Sequence, residues 1–174
     1  MAAGVVKHPD GTDVRVDGRV RQVPVPSGVR ERSTLTHVGY DDAFLVNTGS
    51  VSDRTGEQWA RAMIEGAPTS TQRALRRGWW ALGLRLGPSR SDRFVLGWEV
   101  RRSDSDFALL GSSGRLGLSG ELLFEPGQDA LLFATFVQLD NPVARAMWTG
   151  IAPHHRKVVR HLLEWAAAPR SSEQ

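Results

Sequence analysis

Residues 131–168 read LLFATFVQLDNPVARAMWTGIAPHHRKVVRHLLEWAAA, and the period of the pattern changes at Asn141. Before it, Phe133, Thr135 and Val137 alternate with their neighbours, as a strand over 129–138 requires. After it, Asn141-Pro142 supplies a helix cap and a proline at the first helical position. Ala144, Met147, Trp148, Ile151, His155, Val158, Val159, Leu162 and Ala166 then share one face at about 100° per residue. The helix runs to Ala167, before Pro169, for a length of about 39 Å. Pro153 lies inside it and predicts a kink near Thr149-Gly150.

Upstream, the period of two continues. Phe94, Leu96, Trp98 and Val100 alternate, and 106–112 and 115–125 read as two further strands. Their connections, Ser103-Asp104-Ser105, Ser113-Gly114 and Pro126-Gly127-Gln128, are short and polar, so the four strands form an antiparallel meander. Leu122–Phe124 and Leu131–Val137 are apolar on both faces, which predicts a sheet that is covered on both sides or closes on itself. Farther upstream, Tyr40 to Val46 (YDDAFLV) reads as a strand. Thr55-Gly56-Glu57-Gln58 is a capping box, opening a helix that carries Trp59, Ala60, Met63 and Ile64. A second helix spans Thr69 to Leu82, and Leu84 to Asp92 reads as a loop. Residues 1–37 read as a loosely attached arm or a small hairpin of Val14–Val16 with Val20–Val23. The domain is expected over 38–168, with a tail at 169–174.

The order of strand, two short helices, meander and long amphipathic helix resembles the helix-grip fold of the START-like (SRPBCC) superfamily. That group includes birch-pollen-allergen type proteins and polyketide cyclases. Within it, Asn141, Pro142, Trp148, Pro153, His155 and Arg156, with Tyr40-Asp41-Asp42-Ala43-Phe44 and the Trp59 helix, look like an actinobacterial family of unknown function. The resemblance covers about residues 38–167. It implies an α+β fold in which a curved antiparallel sheet wraps around the C-terminal helix and leaves a cavity between them.

Composition narrows the chemistry. The chain has 174 residues and no cysteine, so disulfides, thiolate nucleophiles and cysteine-bound metals are excluded. The net charge is only +3, and Lys7 and Lys157 are the only lysines among 22 basic residues. Arginine stays charged, so this small excess lifts the isoelectric point strongly. No basic stripe marks a nucleic-acid partner; Arg73, Arg76 and Arg77 gather, and a solvated helix face accounts for them. No apolar run is long enough for a membrane span, and Met1–Lys7 does not read as a secretory signal, so a cytoplasmic location is expected.

The candidate ligand wall is Trp98, Leu109, Leu118, Leu122, Phe133, Thr135, Met147, Trp148, Ile151 and His155. His155 and Thr135 would orient the polar end of a ligand, as a few polar groups do in apolar pockets. His155 reads equally as a hydrogen-bonded core histidine. Glu99 and Glu121 alternate with Trp98 and Leu122 and are expected to face outward. Gly111, Gly114, Gly117 and Gly120 have no following helix, so they make no phosphate loop and are expected to permit curvature. No catalytic triad, metal set or cofactor motif emerges: His154 and His155 diverge by about 100°. The expected function is binding of a small hydrophobic molecule, without a cofactor. The alternatives are a polyketide cyclase-like enzyme, or a protein-interaction module with a filled core and Trp80 on its surface; a homodimer is left open.

Overall fold

The last strand of the meander, Ala130–Leu139 (β8), lies between the domain's first long strand, Tyr40–Asn47 (β2), and Leu118–Pro126 (β7). The computed structural model describes residues 19–49 and 53–168. Its further strands are Val20–Val23 (β1), Arg90–Ser91 (β3), Phe94–Val95 (β4), Trp98–Ser103 (β5) and Ala108–Ser112 (β6). Its helices are Ser27–Arg30 (α1), Gly56–Ile64 (α2), Thr69–Ala81 (α3) and Pro142–Ala167 (α4). All eight strands form one antiparallel sheet in the order β1-β2-β8-β7-β6-β5-β4-β3, giving an α+β fold with a long C-terminal helix. Among the described residues, no helix is long and apolar enough to cross a membrane.

Register decides which side chains meet the helices. Phe44, Phe133 and Phe124 stand opposite one another across β2, β8 and β7, and all three are fully buried. Each contributes about 1.5–3 kcal/mol of apolar burial. Trp59, Met63 and Ile64 of α2, with Trp148, Val159, Leu162 and Leu163 of α4, complete this core. The caps are those the sequence predicts. Thr55 Oγ1 accepts from the Gln58 amide, while Gln58 returns a contact to the Thr55 amide. Asn141 Oδ1 accepts from the Ala144 amide at 2.8 Å. The helix α4 continues through Pro153.

The opposite face of the sheet is covered too. Val23, Val25, Val29, Leu35 and Val38 pack on Ala43, Leu109, Leu123, Ala134 and Phe136. Residues 19–37, expected as part of a loose arm or small hairpin, are built into the fold: β1 pairs with β2 and the following segment crosses the outer face. The 14–16 part of the expected hairpin lies outside the described residues, as does the 169–174 tail.

Glu121 anchors this cover. It points outward as alternation predicts, yet it is 0% exposed because the 33–34 segment lies over it. Ser33 Oγ donates to its carboxylate at 2.6 Å and the Thr34 amide at 3.0 Å, with the Thr34 hydroxyl also in contact. Arg101 Nη1 donates at 2.6 Å, neutralising the buried charge. A register shift on β5 between Val100 and Arg102 frees Arg101 to reach across Gly111, where a Cβ would collide with the guanidinium.

The expected continuous strand from Arg93 is broken. Leu96 and Gly97 both take positive φ, 47° and 100°, and turn β4 back onto β5 as a two-residue hairpin. Glu65, at the C-terminal cap of α2, accepts from the Leu96 amide at 3.0 Å, which fixes the turn from outside the hairpin.

Candidate functional site

The strand β2 alternates so that Tyr40, Asp42 and Phe44 share the face beneath α4. A carboxylate therefore enters an apolar layer, and Asp42 is only 4% exposed. Such a group needs partners. Tyr40 donates its hydroxyl proton to Asp42 Oδ2 at 2.6 Å. His155 Nε2, reaching down from α4, lies 3.4 Å from the same oxygen and 3.2 Å from Thr135 Oγ1. Arg156 Nη1 donates to the Tyr40 oxygen at 3.3 Å. The rings close the cluster: Tyr40 meets Trp148 edge-on at 5.2 Å between centroids, and Trp148 meets His155 at 5.2 Å.

Burial pushes the Tyr40 pKa up to about 12, helped by the hydrogen bond to Asp42 and its negative charge, while Arg156 opposes the shift. At neutral pH the phenol thus keeps its proton and spends it on Asp42. His155 turns one ring nitrogen, Nε2, to both the Thr135 hydroxyl and the Asp42 carboxylate, and an imidazole nitrogen can act there as donor or acceptor according to its tautomer. Among the described residues, two buried polar atoms of the cluster have no protein partner: Asp42 Oδ1 and the Trp148 indole Nε1. Buried polar atoms are rarely left in this state without a water or ligand to meet them.

A cleft of about 440 Å³ opens against this cluster. Its wall is Gly39, Tyr40, Leu139, Trp148, Ala152 and Pro153, with Arg145, Thr149 and Arg156 adding polarity. It lies where α4 passes the start of β2 and the end of β8. The structure places nine of the ten expected wall residues on the helix-facing side: Trp98, Leu118, Leu122, Phe133, Thr135, Met147, Trp148, Ile151 and His155. Leu109 is the exception. It stands opposite Leu123 in the register and packs under Val29 and Leu35 on the outer face, because one residue's step inverts side-chain direction. Of the ten, Trp148 alone lines the cleft. Leu118, Leu122 and Phe133 are core residues, and Trp98 lies over Gly120 and edge-on to Trp79 at 5.5 Å.

Sequence reasoning passed over Asp42, Tyr40 and Arg145 as site residues. The parity of YDDAFLV carried the signal for the first two, since Asp42 falls in step with Tyr40 and Phe44. Among the described residues no three of His, Cys, Asp and Glu gather in a way that could hold a metal ion.

No family model and no curated protein matches the chain. One solved structure, a protein of unknown function from Pseudomonas aeruginosa, aligns over 97% of this chain and 98% of its own at 13% identity. The TM-score is 0.26, too low to relate the two folds.

Proposed function

We propose that this chain is a START-like, helix-grip protein that binds a small molecule with an apolar body in the cleft whose wall includes Tyr40 and Trp148. The topology supports the fold reading: the meander returns its last strand, β8, beside β2, and the C-terminal helix lies across them. One observation carries the function. A cleft of about 440 Å³ with a largely apolar wall shares Tyr40, Trp148 and Arg156 with a polar cluster in which, among the described residues, Asp42 Oδ1 and Trp148 Nε1 lack protein partners. Ligand sites combine apolar walls with a few such polar points. Burial of ligand surface drives affinity at roughly 25 cal/mol per Å² before association costs.

Native mass spectrometry of the purified full chain tests this reading. Extra mass that is lost on denaturation supports it and identifies the ligand. Bare chain, with no small molecule retained from a broad apolar library, counts against it.

A second reading is a polyketide cyclase-like enzyme, favoured by the Asp42–His155 pair behind the cleft wall. In that case His155→Gln shifts the pH profile of turnover. The interaction-module reading draws on Trp80, which is 76% exposed on α3, a helix with no fully buried residue. It predicts concentration-dependent self-association, or a partner, that is lost in Trp80→Ser.

A further inference from the structure

We infer that the molecule held in the Tyr40–Trp148 cleft is an organic anion, a carboxylate on an apolar body, recognised by Arg145 and Arg156; this rests on the binding reading above. The two arginines stand 11 residues apart on α4, close to three full turns, so they lie on one side of the helix at the cleft. Thr149, Ala152 and Pro153 fill the same side between them.

Neither guanidinium has a carboxylate partner among the described residues, so both charges are available at the cleft. Among the described residues, Arg156 hydrogen-bonds the Tyr40 oxygen and the side chain of Arg145 makes no hydrogen bond or ion pair. The nearby acids are engaged elsewhere. Asp42 Oδ2 accepts from Tyr40 and faces His155. Asp140 accepts from Gln138 at 2.8 Å and lies 3.8 Å from His37.

The side chains that bring polarity to the cleft are chiefly donors. Both guanidiniums donate, and the Thr149 hydroxyl proton is already given to the Arg145 carbonyl at 2.8 Å. A ligand that matches this set accepts hydrogen bonds and carries negative charge. The flat fork of a guanidinium fits a carboxylate with two parallel bonds. An amine or a neutral hydrocarbon would leave these donors unmet.

Calorimetry on the full chain with naphthoate and its neutral counterpart naphthamide tests the inference. Naphthoate is expected to bind at least about tenfold tighter, from charge-assisted hydrogen bonds. In Arg145→Gln/Arg156→Gln the two probes are expected to fall within about twofold of each other. Added salt weakens naphthoate binding in the parent chain and leaves naphthamide unaffected. Equal binding of both probes, unchanged by the substitutions, overturns the anion and leaves the cleft reading standing. Failure of both probes to bind overturns the cleft reading and the anion with it. Arg145→Gln alone alters an exposed side chain, so it decides the question if the double variant does not fold.

Discussion

The Tyr40 hydroxyl and the Asp42 carboxylate, two residues apart on one strand, meet at 2.6 Å beneath α4. This bond ties the cleft wall to the buried polar cluster. Tyr40 turns its ring to Trp148 and the cleft, while its proton holds a carboxylate that would otherwise be stranded in the core.

Tyr40→Phe removes that proton and leaves Asp42 with His155 alone. Loss of one partner from a buried acceptor costs about 1–3 kcal/mol. Urea unfolding is expected to show a midpoint lowered accordingly. A variant as stable as the parent would mean that water already serves Asp42.

Tyr40 is the chain's single tyrosine, so its ionisation is directly assignable. Its folded pKa of about 12 lies above the ordinary value of 10.0. The folded state therefore holds this proton more tightly than the unfolded state does. The stabilisation is complete below pH 10 and is lost as pH rises towards about 12. Ultraviolet difference titration should place the phenol well above its value in urea. Coincident titrations would contradict the buried contact with Asp42.

Glu121→Ala strips the partner from Arg101 and from the Ser33–Thr34 segment together. Removing one member of a buried pair costs about 3–5 kcal/mol, and the partly exposed Arg101 brings the figure towards the lower end. Hydrogen exchange at residues 33–38 should accelerate more than in α2. Uniform acceleration would show that the cover is not a separate unit.

Thr55→Ala removes the side-chain acceptor that serves the Gln58 amide at the start of α2. The expected cost is about 1 kcal/mol, measured by thermal or urea unfolding. Thr55→Ser should recover most of it, because the hydroxyl is kept.

The parts of the fold written in local chemistry were legible from residues alone. Asn141-Pro142, the Thr55–Gln58 box and the polar turns of the meander each act within a few residues. The Leu96–Gly97 turn was obscured because the apolar alternation runs straight through it, and what fixes it is Glu65, 31 residues upstream. The cover over Glu121 was hidden for a similar reason. Residues 24–38 carry no period, and they find their place only through contacts with strands about 90 residues away, such as Ser33 with Glu121. At the site, His155 and Thr135 were singled out as polar groups and do meet, at 3.2 Å. Asp42 was missed, since a carboxylate in a strand reads as solvent-facing until its parity with Phe44 is taken seriously.

Two-dimensional proton–nitrogen NMR of the indole groups during addition of naphthoate tests the binding cleft most directly. The chain has six tryptophans, and Trp148→Phe assigns the relevant signal. Trp148 is the one tryptophan on the cleft wall, and its buried N–H has no protein partner among the described residues. The account predicts a large, saturable shift of the Trp148 indole signal, with those of Trp80 and Trp165 unmoved. Saturable shifts centred on Trp80, with Trp148 silent, would contradict it.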